Sequence, residues 1–296
     1  MTETDVPTNM TGLTAIEQVV QQIVAGFDGE AAFMARHLDT GEEIGHRPER
    51  VMPTASTIKL IVLAEVFRQA EEEIISLDES LPIAADDRRG GSGILKDLSP
   101  DLLLPVRDHC TLMIALSDNT ATATLVRLVG RERVLASARE WGMTDTTSGF
   151  RVPEGGGARD YGASTPRDLV HLLAFIAEDA IISPSACAAM RDILLTQQYH
   201  EQIARYLPYS QYEREGYVPH GEIVVRSKSG FMNDTTGGVR VDAGIVDVRD
   251  GPRFAIALMT EGSPDRGFGP EHPGAILNGQ LARLVFDHWA GPRAAG

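Results

Sequence analysis

Hydrophobic periodicity changes twice along this chain, and those two changes limit the folds open to it. Residues 15–27 carry Ile16, Val19, Val20, Ile23 and Val24 at helical spacing. Residues 31–38 and 43–46 flank Asp39-Thr40-Gly41 and read as strand, tight turn, strand. The centre is mainly helical, with helices expected at 56–73, 106–116, 120–128, 131–141, 166–176 and 184–194, joined by loops rich in Gly, Asp and Pro. From residue 222 the pattern returns to strands: 222–228, 239–248 and 253–260 alternate or run apolar with β-branched residues, and Asp250-Gly251-Pro252 marks the turn between the last two. Residues 275–289 are again helical in spacing. This order predicts an α/β (α+β) fold, an antiparallel sheet built from both chain ends and flanked by terminal helices, with an all-helical lobe inserted. Residues 1–12 are polar and expected to be mobile. Residues 13–290 are expected to form a single unit, its α/β lobe from 13–50 and 221–290 and its helical lobe from 51–220.

Composition excludes several partners. A formal net charge of -15 over 296 residues, without any Lys/Arg cluster, repels nucleic-acid phosphates and anionic lipid. No apolar run has the ~18 to 20 residues needed to span a bilayer. Met1-Thr2-Glu3-Thr4-Asp5 lacks the basic-then-apolar order of a secretory signal, so the chain as written reads as cytoplasmic; a trimmed export segment would make it periplasmic or secreted. Cys110 and Cys187 are too few for a disulfide framework and read as small buried apolar residues. The eight histidines show no HExxH or paired spacing, so no metal and no cofactor is expected. The nucleophile elbow GxSxG and a phosphate loop are also missing. The expected partner is a small molecule, and the expected state a monomer.

Lysine occurs only at Lys59, Lys96 and Lys228. Arginine keeps its proton in proteins, whereas a desolvated lysine beside another cation can become a neutral amine. Ser56 and Lys59 stand three apart at the start of a helix, on one face, as a base-activated nucleophile requires. A helix N-cap at Ser56 and a solvated Lys59 would give the same letters. However, Ile58, Leu60, Ile61, Val62, Leu63, Val66 and Phe67 make this helix apolar nearly all round, and a lysine there is costly unless paired or neutral. Ser117-Asp118-Asn119 falls between two apolar helical stretches, and Lys228-Ser229-Gly230 reads as a strand end with a turn glycine. Each triplet alone is an ordinary turn or terminus. The three in this order and context arise by chance in roughly one case in a thousand or fewer on average residue frequencies.

These motifs resemble the serine penicillin-recognising superfamily, which includes class A β-lactamases and D,D-peptidases. The resemblance spans about residues 13–289, and Val106-Arg107-Asp108 and Ser164-Thr165-Pro166 are similar to class A in particular. It implies a β-lactamase/transpeptidase-like fold and a serine acyl hydrolase. Ser56 would form the acyl-enzyme with Lys59 as neutral base, and Ser117 would relay a proton to the departing nitrogen. Lys228 and Ser229 would hold a substrate carboxylate, Asn119 would orient Lys59 and the substrate amide, and the backbone N–H groups of Ser56 and of Phe231, next to Gly230, would form the oxyanion hole. Arg240 is either a second contact to that carboxylate or a sheet-edge charge.

The pattern departs from class A in the loop 149–162. There a glutamate and, four positions on, an asparagine hold the deacylating water; here Glu154 is followed by Ala158, and the loop is shortened. Glu154 is the candidate deacylation base, Asp160 a lesser one, and a solvated loop carboxylate the plain alternative. The expectation is β-lactam hydrolysis. A penicillin-binding D,D-peptidase, esterase or transacylase, or a sensor trapped as its acyl-enzyme, remain alternatives.

Overall fold

The computed structural model describes residues 14–151, 157–208 and 223–291. In chain order these form α1 (Ala15–Ala25), β1 (Glu30–His37), β2 (Glu43–His46), β3 (Met52–Pro53), a 3-10 turn (Ala55–Ile58), α2 (Lys59–Glu71), β4 (Ser80–Pro82) and β5 (Leu103–Pro105). Then come α3 (Val106–Ala115), α4 (Asn119–Val129), α5 (Arg131–Glu140), α6 (Ala158–Tyr161), β6 (Ala163–Ser164), α7 (Pro166–Ala177) and α8 (Pro184–Leu194). The chain closes with β7 (Ile223–Asn233), β8 (Gly238–Val248), β9 (Arg253–Ser263) and α9 (Pro273–Ala290). Among the described residues no helix is long and apolar enough to cross a membrane.

The two ends of the chain meet in one five-stranded antiparallel sheet of order β2-β1-β9-β8-β7. Strand residues alternate between its faces, and both faces are buried. Phe33, Ile256 and Leu258 face α1 and α9, with Leu281 and Phe286 as partners in one core cluster. Met34, Val241, Ala257 and Met259 face the other way and join α2, α3, α4 and α7 in a second cluster. This double burial is why β8 and β9 read as nearly continuous apolar runs rather than as clean alternation.

Local signals position the helices. Thr14 and Glu17 form a capping box on α1, Thr165 accepts the Asp168 N–H at 3.1 Å to start α7, and Ser183 caps α8. Proline at the first turn of α7, α8 and α9 needs no hydrogen bond there. The buried helix α2 is tied down by its own Glu65, whose carboxylate accepts from Arg68 (2.6 and 2.7 Å), Gln69 (2.6 Å) and Ser137 of α5 (2.6 Å).

Three features differ from the sequence expectation. The helix expected from residue 56 begins as a 3-10 turn and becomes α-helical only at Lys59. Two short ladders, β3 with β6 and β4 with β5, interrupt the helical region. Lys228-Ser229-Gly230 does not end a strand: β7 runs on to Asn233, with Phe231, Met232 and Asn233 opposite Arg240, Val239 and Gly238. The glycine there marks a close approach of backbone rather than a turn.

The β3–β6 ladder brings the chain ahead of Ser56 against the segment after α6. The Thr54 N–H donates to the Gly162 carbonyl at 2.9 Å, and a Cβ at Gly162 would lie 2.4 Å from the Thr54 hydroxyl. We expect Gly162→Val to lower stability by about 1–3 kcal/mol through overpacking, read as a shift in the urea unfolding midpoint. An unchanged midpoint would mean that this contact yields freely.

Candidate active site

Ser56 sits half-buried on the 3-10 turn at the head of α2. Ala55 before it is fully buried at φ +42, a left-handed conformation that costs a non-glycine residue about 1–3 kcal/mol and persists only where packing holds it. The packing comes partly from β7. A Cβ at Gly230 would stand 2.7 Å from the Ser56 nitrogen and 3.0 Å from the Ala55 Cβ, so only glycine lets the strand come this close. Because β7 is a sheet edge, its outward amides have no strand partner, and Gly230 brings that edge against this turn.

Lys59 opens α2 and is fully buried. Its Nζ lies 2.7 Å from the Ser117 carbonyl oxygen, 3.0 Å from Ser117 Oγ and 2.9 Å from Asn119 Oδ1. Burial, and then the charge of Lys228, push the Lys59 pKa well below its ordinary value, against an opposing pull from Asp118. Ser117 is buried at φ +52, a second strained non-glycine residue in the same site.

Asp118 has a different task from its two neighbours. It caps α4 by accepting the Ala121 N–H at 2.9 Å, and its other oxygen takes the amides of Ile94 (2.6 Å) and Leu95 (2.9 Å). Thus the middle residue of Ser-Asp-Asn anchors the 90s loop. Asn119 bridges the two: its Oδ1 meets Lys59 while its Nδ2 donates to the Gly90 carbonyl at 2.9 Å.

On β7, Lys228 is fully buried and its Nζ donates to the Ser229 carbonyl at 2.6 Å. Burial lowers its pKa to about 7, and Asp242 works against that shift. Asp242, opposite Ser229 on β8, is itself buried; burial raises its carboxyl to about 7, while the Ile203 N–H (3.1 Å) and Lys228 oppose the rise. Burial thus drives both groups toward neutrality, and their mutual attraction holds them back. Asp242 escaped the sequence reading; its signal is a carboxylate set into the apolar run Val239, Val241, Ala243, Ile245.

The Ser229 hydroxyl is buried without a hydrogen-bond partner among the described residues, which leaves it free for a ligand. Arg240 is only 3% exposed and lies on the interior strand β8, so the sheet-edge alternative is corrected. It donates to the carbonyls of Val239 (2.7 Å) and Gly267, and its guanidinium carbon is 5.4 Å from the centre of the Phe268 ring. Burial pulls its pKa down to about 10, against Asp265. Phe231, opposite Arg240, meets Tyr199 at 5.4 Å and Phe268 at 6.0 Å edge to face, giving an aromatic wall that no motif announced.

Glu154 lies outside the described residues. Asp160 is engaged locally, taking the Gly157 N–H at 2.7 Å in the single turn of α6. The structure therefore joins Lys59, Ser117 and Asn119 by hydrogen bonds and packs Ser56 on Gly230. Lys228, Ser229 and Arg240 lie on the adjoining strands β7 and β8.

This fold is that of the penicillin-recognising serine hydrolase superfamily. The sequence model of the Beta-lactamase enzyme family matches residues 15–289, and the chain belongs to that family. It is 27% identical to the beta-lactamase regulatory protein BlaB of Streptomyces cacaoi, over 86% of this chain and 91% of the relative. The structure is similar to a beta-lactamase from Sphaerobacter thermophilus, with a TM-score of 0.78 and 26% identity over 92% of this chain and 96% of that one. It is also similar to a variant of PBP-A solved as its acyl-enzyme complex with penicillin G, with a TM-score of 0.77 and 26% identity over 93% and 96% of the two chains.

A lowered Lys59 pKa has a consequence for stability. Below pH 10.5 and above its folded value, the unfolded chain binds a proton that the folded chain lacks, so stability rises with pH through that window. One proton contributes a slope of up to about 1.4 kcal/mol per pH unit. We expect Lys59→Met to remove this share of the slope in urea unfolding at pH 7, 8 and 9. An unaltered slope would mean that folded Lys59 keeps its proton.

Proposed function

We propose that this protein forms an acyl-enzyme at Ser56 and that β-lactams are among the acyl donors it opens. The observation that carries this reading is the surrounding of the buried Lys59 amine by Ser117 and Asn119. A neutral amine has two hydrogens and one lone pair. The two carbonyl oxygens take the hydrogens, and the lone pair is left to a hydroxyl: that of Ser117, 3.0 Å away, at rest, and that of Ser56 when it attacks.

Ser56 Oγ attacks the carbonyl carbon as its proton passes to Lys59. Electron density collects on the carbonyl oxygen, met by the backbone N–H groups of Ser56 and Phe231. The C–N bond then breaks, and the nitrogen takes a proton delivered from Lys59 through Ser117. Lys228 and the unpartnered Ser229 hydroxyl hold the substrate carboxylate, and Arg240 adds positive potential behind Phe231. Water must finally cleave the ester. The substrate is a small molecule acted on by a single chain, and the charge of -15 favours neither nucleic acid nor anionic membrane as a partner.

Deacylation separates two outcomes. Glu154 is the candidate base for turnover. A lasting acyl-enzyme, as in a sensor, is favoured by the engagement of Asp160 as a cap on α6 and by likeness to a regulatory relative.

Benzylpenicillin and a chromogenic cephalosporin, followed by intact mass and by colour, test the reading. A covalent adduct or steady turnover that disappears in Ser56→Ala supports it; no adduct and no turnover would remove it. Lys59→Arg keeps the charge but cannot release the proton, so acylation should fall by about 10²-fold or more. Retained acylation would refute the neutral base.

The charge of Lys228 is lost as pH rises through about 7. Asp242→Asn removes the group that opposes this loss, so the alkaline limb of kcat/KM for carboxylate-bearing substrates should move to lower pH. A limb that stays in place would show that Asp242 does not support Lys228.

A further inference from the structure

Beside α4 lies a cavity of about 760 Å³ that adjoins the site at Asn119 and Met232. Its walls are apolar, formed by Ala123, Val126, Phe150 and Tyr161. Four arginines, Arg89, Arg127, Arg131 and Arg151, also line it. Asp87 is the one carboxylate among the lining residues, and it is already taken, since its Oδ2 lies 2.8 Å from both Nε and Nη2 of Arg127. Arg89 spends one nitrogen on the carbonyls of Asp86 (2.5 Å) and Arg88 (3.2 Å) and has no ion pair among the described residues. Arg131 and Arg151 are exposed, and neither is ion-paired among the described residues. In a chain of net charge -15, four arginines against one carboxylate make this cavity a local exception.

An apolar wall with a cationic rim suits an apolar chain that ends in an anion. The cavity meets the site at Asn119, the side chain that holds Lys59, whereas Lys228 and Ser229 lie on β7. We infer that the cavity receives the acyl substituent of the substrate and selects one ending in a carboxylate. The substrate class is then a dianionic acyl donor, with one carboxylate at Lys228 and Ser229 and the second at the arginine rim. This rests on acylation at Ser56. Rim contacts are exposed, so their contribution is modest and screened by salt.

The test uses two penicillins of equal chain length, N-hexanoyl- and N-adipoyl-6-aminopenicillanic acid, which differ only in a terminal carboxylate. The second-order rate of adduct formation is followed by intact mass on the full chain. The adipoyl compound should react about two- to fivefold faster. That preference should shrink at 1 M NaCl and fall towards unity in the double variant Arg89→Gln/Arg131→Gln, whose adduct with the hexanoyl compound serves as the check on folding. Equal or slower reaction of the adipoyl compound, or a preference that survives in the double variant, would overturn the inference while leaving acylation at Ser56 standing. Seeing neither adduct nor turnover with either compound would remove both.

Discussion

Two lysine amines, Lys59 and Lys228, are buried without exposed surface in one site, and the rest of the site follows from that constraint. An ammonium group transferred from water to a protein interior must be paired, hydrogen-bonded or neutralised. The two groups resolve the problem differently. Lys59 has two carbonyl oxygens and a hydroxyl around it and feels the charge of Lys228, so its proton is the easier one to lose. Lys228 has Asp242 behind it, which favours its charged form. One becomes a base and the other an anchor for anions, although both are the same residue type.

The scaffold keeps these groups in place with strain and close packing rather than with long-range charge. Ala55, beside the nucleophile, and Ser117, on the Lys59 amine, both adopt left-handed backbone. Gly230 lets an edge strand touch the nucleophile turn, and Asp118 fastens the 90s loop to the start of α4 by accepting the amides of Ile94 and Leu95 on one side and Ala121 on the other. Glu65 and its partners Arg68, Gln69 and Ser137 fix the far side of α2. A site assembled on rigid elements in this way needs little rearrangement to receive a carbonyl group.

The sheet and its flanking helices were legible because their burial imposes periods of 2 and 3.6 on the apolar residues. The depth of α2 was legible as well, since its apolar residues leave no polar face. The two-residue and three-residue ladders were not, because so short a strand carries no period. Gly230 misled because glycine punctuates turns and also permits close contact, and only the position of Ser56 distinguishes the two. Asp242 and the Phe231–Tyr199–Phe268 wall depend on neighbours distant in sequence. The arginine rim is more dispersed still, spread from Arg89 to Arg151 without a local motif, and the fold alone gathers it.

The chemistry rests on the protonation state of Lys59. A 13C-detected NMR titration of the lysine Cε signals makes it directly visible, because the chain has only three lysines and Lys59→Met and Lys228→Met assign them. The account requires the Lys59 signal to titrate well below 10.5, with its midpoint moving up in Lys228→Met as the neighbouring charge is removed. A Lys59 signal that titrates at or above 10.5 in the folded protein would contradict it.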